Sequence, residues 1–491
     1  MAAHRKILRG SAVLTLNEVV SNGCSFVRNY ILARVLSKDD FGVAAMLTVT
    51  FLFLEVTSKM AFGQLAISSK NGGDRRFVDT EHTVQLFLGF CSAAVFLMLA
   101  RPVAELLAVP QLADGMRLLA LVPACMALGN LSAFTYAREM HFERSVCLEA
   151  IPQILITLAA WPVAVWLHDF RAFIWLQIGK AALSTLVSYV VAGRPYAWSF
   201  RADYCREIFK FSWPLMVSGF IMICSSQGDR LMMTRAYSLK DLGTYAVAWS
   251  IAATPSFAIL KIVGGTSLPM MAQVADDQVQ LRSRYALLAQ IFALTGALFA
   301  LVMVVAGEQI MTLLFHGKYA GAGIIAGWIS CGQAVRMIRG APIGVAWGRS
   351  ETASQMLGNI VRLAGLLLVI PVVVLRGSLF WVAVAGLTGE ILALLVNVVA
   401  VRRLHRMEMR LCFGPALVGA ACVALGGIAA NELMPGRNFA LTVVFLVLAM
   451  GLTLLVFARV FPEIRHEVGR IRTVLEARIR RPPVPSGPPV D

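Results

Sequence analysis

The chain has few charged residues for its length. Only 15% of its 491 residues are Asp, Glu, Lys or Arg, whereas 58% are hydrophobic. So little charge cannot give a folded chain of this size a water-exposed surface, which excludes an ordinary soluble protein. The mean hydropathy of +0.72 is instead typical of a chain that crosses a bilayer many times.

Acidic residues are scarcer than basic ones, with 28 Asp and Glu against 44 Lys and Arg. In a soluble protein this balance would suggest a nucleic-acid partner. Here, if the N-terminus is cytoplasmic, the predicted cytoplasmic segments hold 26 of the 44 cations and the opposite segments hold 6. That asymmetry predicts that both termini are cytoplasmic. It also accounts for most of the basic excess, so no nucleic-acid partner is expected.

Motifs for catalysis and for metal binding are missing from the sequence. The nine cysteines are isolated from one another, and there is no H-E-x-x-H motif and no glycine loop of the nucleotide-binding type. The segments between apolar runs are short, which leaves no room for a catalytic domain outside the membrane. We therefore expect neither an enzyme nor a bound metal or cofactor, and the cysteines are interpreted as small core residues.

Apolar runs of about 20 residues or more predict an all-α polytopic membrane protein with fourteen transmembrane helices. The predicted intervals are 10–36, 41–69, 83–108, 115–137, 146–167, 172–193, 211–236, 242–269, 285–314, 321–347, 353–375, 378–400, 413–432 and 439–458. Beyond them, residues 462–491 are expected to form a cytoplasmic amphipathic helix followed by a disordered tail.

An internal repeat organises the chain. The segment FVRNYILARVLSKDDFGVAA at 26–45 returns as QGDRLMMTRAYSLKDLGTYA at 227–246, with a spacing of 201 residues. Each copy ends an apolar helix in a Ser-x-x-Asp-x-Gly turn and begins another. Six predicted spans separate the copies, so the two halves have the same orientation, as in transporters with parallel repeats. The predicted divisions are an N-lobe at 1–200, a C-lobe at 201–400, two further spans at 401–461 and the tail at 462–491.

The remaining 12 of the 44 cations fall inside the predicted spans. A charge at bilayer depth is costly unless it faces protein or a water-filled cavity, so such residues are candidates for function. Five of them could equally contact a ligand or form ion pairs between the lobes: Arg28, Arg230, Lys261, Arg336 and Arg339. Arg336 and Arg339 share a face of the tenth span without a local acid, and they are interpreted as a phosphate clamp.

Acidic residues inside the spans are candidates for coupling or for ion pairs between the lobes: Glu18, Glu55 and Asp229. Arg28 and Asp229 occupy equivalent places in the two repeats, which suggests an ion pair in one conformation. Lys59 lies four residues after Glu55, so it could either pair with that carboxylate or contact substrate. Arg34 and Arg235 lie near the outer ends of their helices, where a structural role is favoured.

Three stretches carry a family resemblance: ILARVLSKDDFGVAAM, its copy MTRAYSLKDLGTYAVA, and LLFHGKYAGAG. They resemble the polysaccharide-transport, or O-antigen flippase, branch of the multidrug/oligosaccharidyl-lipid/polysaccharide exporter superfamily. The resemblance implies a flippase that moves a polyprenyl-diphosphate-linked oligosaccharide across a bacterial inner membrane by alternating access. The sugar would be an exopolysaccharide, O-antigen or capsule repeat unit. Implied partners are membrane lipid and a polysaccharide polymerase or co-polymerase.

The resemblance also implies site residues. In the related lipid II flippases, cations on the first, second and eighth spans hold the diphosphate. The residues of this chain in those spans are Arg28, Arg34, Lys59 and Lys261.

Two other functions stay open at this stage. A cation-coupled multidrug exporter of the same superfamily would be expected to have an acidic cavity, and the excess of Arg and Lys argues against it. A membrane-embedded glycan-modifying enzyme would be expected to have a large outer loop or a catalytic cluster, and the sequence has neither.

Overall fold

The computed structural model of the chain is helical in the part of the chain that it describes. It describes residues 2–59, 65, 69–107, 109–134, 136, 142–192, 195–349, 351, 353–433 and 438–465. The α-helices are α1 (Ala2–Val35), α2 (Lys38–Lys59), α3 (Arg75–Leu106), α4 (Ala113–Leu119), α5 (Leu121–Ala127), α6 (Phe142–Leu167), α7 (Arg171–Ala192), α8 (Ala202–Met233), α9 (Leu239–Ala272), α10 (Gln278–Phe315), α11 (Ala322–Ile338), α12 (Gly340–Gly348), α13 (Ala353–Gly365), α14 (Val369–Val374), α15 (Leu379–His405), α16 (Arg410–Leu433) and α17 (Phe439–Val460). Short 3₁₀ helices lie at Lys70–Gly73, Pro110–Leu112, Leu131–Phe134 and Leu366–Leu368. The predicted all-α class is confirmed.

Helix occupies part of each of the fourteen predicted intervals. Several helices are longer than predicted: α8 begins at Ala202 and α10 at Gln278, well before the expected starts at 211 and 285. Nine helices in the described part of the chain are long and apolar enough to cross a bilayer. The chain is therefore a multi-pass membrane protein. The full count of fourteen spans stays a prediction, and the predicted tail falls largely outside the described residues.

Three predicted spans are each divided between shorter helices, and each division lies four residues before a proline. α4 ends at Leu119, four before Pro123; α11 ends at Ile338, four before Pro342. The third division, the 3₁₀ turn before α14, includes Leu367, four before Pro371. A proline has no N–H to donate to that carbonyl, and its ring crowds the preceding turn. Proline alone is not sufficient, because α3 and α6 stay continuous with prolines inside them.

Outward-facing positions of the helices carry large apolar side chains. Trp166 in α6 is 80% exposed, Val190 in α7 is 82% exposed and Leu448 in α17 is 67% exposed. Apolar side chains of this size on an outer surface are unfavourable in water and suited to lipid. The pattern agrees with a chain that lies in a membrane.

The chain divides into two compact units, and each joins several segments. The first unit comprises Met1–Ile262, Gly307–Ile329 and Asn359–Leu392, and the second comprises Val263–Ala306, Ser330–Gly358 and Ala393–Asp491. The core of the first unit includes Leu65, Phe77, Val78, Val84, Leu131 and Ile208. In the second, Leu301, Val305 and Ala430 pack together. The first unit draws on chain from both predicted halves, whereas the second contains no residue of the predicted N-lobe. The predicted division into lobes stays a prediction.

The two copies of the repeated turn form the same hydrogen bonds. In the first copy the Ser37 hydroxyl donates to the Asp40 carboxylate, and the backbone N–H of Asp40 donates to Ser37 Oγ at 3.0 Å. In the second copy the Ser238 hydroxyl donates to Asp241 at 2.7 Å, and the Asp241 N–H donates to Ser238 Oγ at 3.2 Å. Each serine caps the N-terminus of the helix that follows, α2 or α9. The predicted sequence repeat is therefore a repeat of local structure.

The glycine that ends each turn lies where the two turns touch, inside the first unit. A Cβ atom on Gly42 would lie 2.0 Å from the carbonyl oxygen of Leu239, and one on Gly243 would lie 2.4 Å from that of Lys38. Any side chain at either position would collide with the backbone of the other copy. The repeated glycine is thus explained by a tertiary contact between the copies.

The C-terminal end of α1 is held by the loop between α10 and α11. The Lys318 ammonium donates to the carbonyl oxygens of Ala33 at 2.9 Å, Arg34 at 3.3 Å and Leu36. The Tyr319 hydroxyl donates to the Ala33 carbonyl at 3.1 Å. The last carbonyls of a helix have no partner within the helix, so these donors satisfy them. Burial lowers the pKa of Lys318.

Candidate functional site

Arg230 in α8 is a buried cation of the first unit, with 6% of its surface exposed. Its guanidinium carbon lies 4.1 Å from the ring centroid of Trp249 in α9, which is a cation–π contact. Nε and one terminal nitrogen are buried and have no hydrogen-bond partner among the residues that the structure describes. The ring stabilises the charge but accepts no conventional hydrogen bond, so these donors remain available to an anion.

Asp229, the neighbour of Arg230 in sequence, is held by other groups. Its carboxylate accepts a hydrogen bond from the buried Tyr245 hydroxyl at 2.7 Å and one from the backbone N–H of Arg230 at 2.9 Å. All the side chains concerned are described, and neither Arg28 nor Arg230 forms a salt bridge with Asp229. The predicted ion pair between Arg28 and Asp229 is not formed in this conformation, and for another conformation it stays a prediction.

Arg28 lies on a polar stripe of α1, because Ser21, Ser25 and Arg28 recur at the spacing of one helix face. Part of that stripe contacts α6: the Gln153 amide donates to Ser25 Oγ at 2.6 Å, and the Ser21 hydroxyl donates to Glu149 at 3.2 Å. One terminal nitrogen of Arg28 is buried, and within the described part of the chain it has no hydrogen-bond partner. The stripe therefore serves two purposes, with its serines in helix packing and Arg28 left with a donor to offer.

Two further predicted cations of the first unit are exposed. Arg34, at the end of α1, donates to the Tyr30 hydroxyl at 2.8 Å. That contact within one helix turn agrees with the structural role favoured for Arg34 from the sequence. Lys261 is exposed on α9. The side chains of Lys59, Glu55 and Glu18 lie outside the described residues, so the predictions for them are untested.

The two arginines of the predicted phosphate clamp belong to the second unit. Arg339 lies at the junction of α11 and α12 and is 3% exposed. Its Nε donates to Asn397 at 3.2 Å, and the Asn397 amide donates to the Ser354 carbonyl at 2.6 Å. Arg336 is half-buried in α11. A phosphate would have to replace Asn397 as one acceptor for Arg339, so the clamp stays a prediction with a competing partner.

Sequence reasoning missed three residues that contact α1 or α8, the helices of Arg28 and Arg230. Glu149 accepts from Asn17 at 3.1 Å as well as from Ser21. An acidic residue inside the predicted span 146–167 is a signal that could have identified it. Trp249 and Tyr245 stand in an apolar run, where one more aromatic residue is unremarkable, so no sequence signal distinguishes them.

The arrangement is suited to binding an anion. Arg28 and Arg230 both belong to the first unit, and each keeps buried donors without acceptors among the described residues. Guanidinium groups present paired donors that match phosphate oxygens. No group of three or more His, Cys, Asp or Glu residues in the described chain could hold a metal ion.

Comparison with known proteins identifies a family. Residues 31–322 match the family described as "Polysaccharide biosynthesis protein". This match begins near the end of α1 and covers both copies of the repeated turn and the loop that contains Lys318.

Curated relatives are distant but extend along most of the chain. The chain is 22% identical over 338 residues to the succinoglycan biosynthesis transport protein ExoT of Rhizobium meliloti (strain 1021), covering 67% of both chains. It is 20% identical to the lipopolysaccharide biosynthesis protein WzxC of Escherichia coli (strain K12), covering 65% of each. It is 19% identical to the teichuronic acid biosynthesis protein TuaB of Bacillus subtilis (strain 168), covering 77% of this chain and 79% of the relative.

Solved structures share the fold at low sequence identity. The lipid II flippase MurJ in an inward closed conformation superposes with a TM-score of 0.72 at 13% identity, covering 92% of this chain and 99% of that one. An inward-facing multidrug resistance transporter of the MATE family superposes with a TM-score of 0.61 at 11% identity, covering 84% and 96%. These likenesses concern the fold alone.

Proposed function

The chain belongs to the polysaccharide biosynthesis protein family, and on this basis we propose that it is a flippase for a polyprenyl-diphosphate-linked oligosaccharide. It is a multi-pass transport protein and not an enzyme, as its family and relatives indicate. The proposed cargo is a repeat unit of an exopolysaccharide, an O antigen or a capsule. It would pass from the cytoplasmic to the periplasmic leaflet of a bacterial inner membrane by alternating access, and a polysaccharide polymerase or co-polymerase that uses these units is a proposed partner.

The observation that carries this proposal concerns two arginines whose guanidinium groups keep buried donors to offer. Arg28 and Arg230 have buried nitrogens without acceptors in the described part of the chain. Leaving such donors without a partner is unfavourable unless a ligand supplies acceptors. A diphosphate supplies several oxygens and a compensating charge, whereas a cationic drug supplies no negative charge.

The local environments of the two arginines support a ligand role over an internal ion pair. Asp229, the acid nearest in sequence to Arg230, accepts a hydrogen bond from the Tyr245 hydroxyl. Trp249 stabilises the Arg230 charge through its ring and leaves the N–H groups available. In this arrangement the cation is held in place before the anion arrives, which lowers the ordering cost of binding.

The test compares glycan export in a deletion strain that expresses wild-type or variant protein. We expect the double substitution Arg28→Gln and Arg230→Gln to abolish export and to make the lipid-linked glycan accumulate in the cytoplasmic leaflet. Removing a charge-assisted contact to phosphate costs about 1.5–3 kcal/mol per site, which predicts a loss of tenfold or more in substrate affinity for each arginine.

A matched control removes the same two charges elsewhere. Arg101 and Arg117 are exposed and each pairs with a nearby carboxylate of its own helix, so Arg101→Gln with Arg117→Gln should leave export intact. Normal export from the Arg28 and Arg230 variant, at equal protein levels in the membrane, would contradict the proposal. Unchanged glycan together with raised drug sensitivity on deletion would favour a multidrug exporter.

A further inference from the structure

A cavity of about 360 Å³ lies beside the end of α8, within the first unit. Its walls combine apolar side chains from α8 and α14 with two arginines: Met232, Ile370, Val373, Val374, Arg235 and Arg376. An apolar wall beside guanidinium groups suits a ligand with a hydrocarbon part and an anionic head group. In the predicted topology the cavity lies near the periplasmic interface.

No carboxylate in the described part of the chain neutralises either arginine. Arg235 and Arg376 are both exposed, and neither forms a salt bridge with a carboxylate of the described residues. Other exposed arginines in the described part of the chain do pair with an acid, as Arg101 does with Glu105 and Arg117 with Asp114. Two unpaired guanidinium groups at one cavity produce a local positive potential that attracts an anion.

An arginine occupies the left-handed position after α14, where glycine is more usual. Arg376 follows α14 and has a left-handed φ of 50°. Its N–H donates to the Val373 carbonyl at 3.1 Å, and the Gly377 N–H donates to the Val372 carbonyl at 2.8 Å. This is the Schellman arrangement, in which the left-handed position is usually glycine because glycine adopts it without strain. Here that position carries the guanidinium.

Tyr237 fixes the two walls relative to each other. Its hydroxyl donates to the Gly377 carbonyl at 2.7 Å, which joins the segment after α8 to the segment after α14. Arg235 lies two residues before Tyr237, and Arg376 is the residue immediately before Gly377. The two guanidinium groups are therefore carried by segments that cannot drift apart freely.

From these contacts we infer that the cavity between Met232, Arg235 and Arg376 binds the phosphate head group of a membrane lipid, with the acyl or isoprenyl chain against the apolar wall. The lining of this cavity includes neither Arg28 nor Arg230. The shared chemistry is a phosphate on an apolar chain, so the lipid could be a phospholipid or an isoprenoid diphosphate.

The test is native mass spectrometry of the full-length protein purified in detergent. The probes are dioctanoyl phosphatidylglycerol, farnesyl diphosphate and, as the neutral comparison, dioctanoyl phosphatidylcholine. We expect the protein to bind an anionic probe, and we expect Arg376→Gly and Arg235→Gln each to weaken that binding by about tenfold. Arg376→Gly is chosen because glycine fits the left-handed turn, so a loss of binding cannot be attributed to a damaged fold.

Arg406→Gly is the matched control. Arg406 also follows a helix, is exposed and has a left-handed φ of 56°, but it does not line the cavity. Stronger binding of phosphatidylglycerol would identify a phospholipid site, and stronger binding of farnesyl diphosphate would identify an isoprenoid site. Equal binding of phosphatidylcholine, an equal loss in Arg406→Gly, or no binding of either anion would overturn the inference.

Discussion

The two copies of the repeated segment share a turn but differ in what surrounds it. In both copies a serine caps the next helix and a glycine permits contact with the other copy. In the first copy, Lys318 and Tyr319 hold the end of α1, while in the second, Tyr237 ties the end of α8 to Gly377. The repeat therefore preserves the backbone geometry and leaves the supporting side chains free to diverge.

The interior positions before the turn differ even more. At the repeat spacing, Arg28 corresponds to Asp229, so a cation in one copy is replaced by an acid in the other. Asp229 accepts a hydrogen bond from Tyr245, whose counterpart in the first copy, Ala44, has no hydroxyl. Arg28 keeps a donor that has no acceptor among the described residues. The second copy stabilises its acid with a hydrogen bond from within the protein, and both copies offer cations. This asymmetry is what favours an anionic cargo.

The largest effect is expected from substitutions of the glycines at which the two copies of the turn touch. Gly42→Ala and Gly243→Ala would each place a Cβ against the backbone of the other turn, so each should destabilise the protein by about 3 kcal/mol and lower the apparent melting temperature in detergent. Gly23→Ala is the control, because Gly23 in α1 has open space around it. Equal melting temperatures for the Gly42 and Gly23 variants would show that the turns do not touch.

The next effect tests the second copy alone. Tyr245→Phe removes the hydroxyl that donates to Asp229 and should cost about 2 kcal/mol, because a partly buried carboxylate loses a donor. Combining it with Asp229→Asn should recover part of that loss, since a neutral amide is less costly to bury. If the double variant were less stable than the sum of the single changes, the hydroxyl would not serve the carboxylate. Thermal unfolding followed by light scattering measures all three variants.

A smaller effect should be confined to the first copy. Lys318→Met retains an apolar chain of similar length but removes the donors to Ala33 and Arg34, at a cost of about 1 kcal/mol. Hydrogen exchange should become faster for the amides at the end of α1 and in the turn after it, while the turn at 238–243 stays unchanged. Faster exchange in both turns alike would mean that Lys318 acts through global stability.

The smallest effects on stability are expected at Arg34 and Arg235, which occupy equivalent positions in the two copies. Arg34→Gln and Arg235→Gln should each change the free energy of unfolding by about 0.5 kcal/mol or less, because both side chains are exposed. Only Arg235→Gln should weaken lipid binding, because Arg235 lines the cavity whereas Arg34 contacts Tyr30. Melting temperatures and lipid binding measured on the same preparations test both statements.

Several features of the fold were predictable because they depend on local sequence. Apolar length places the helices, and the Ser-x-x-Asp-x-Gly turn places the boundaries of α2 and α9. The division of α11 from α12 could have been read from Pro342, although prolines inside α6 leave that helix continuous. A proline removes one helix hydrogen bond, and packing decides whether the helix divides there.

The candidate site was predictable only in part. Charge inside an apolar run indicates Arg28, Arg230 and Arg339, because an ionisable group at that depth is costly and usually serves a function. It does not indicate which of them already has a partner in the protein. Arg339 donates to Asn397, 58 residues away in sequence, and Arg230 lies on Trp249. Both partners are unremarkable in the sequence.

By itself the sequence determined that this is a helical membrane protein built on a repeated turn, with an excess of cations inside its spans. Those properties follow from hydrophobic length, from local capping and from the energetic cost of charge in a bilayer. Only the tertiary structure decided that Gly42 and Gly243 touch across the repeat, that Asp229 accepts a hydrogen bond from Tyr245, and that Arg235 and Arg376 line one cavity. Such pairings depend on which helices become neighbours, and many distant contacts together fix that choice.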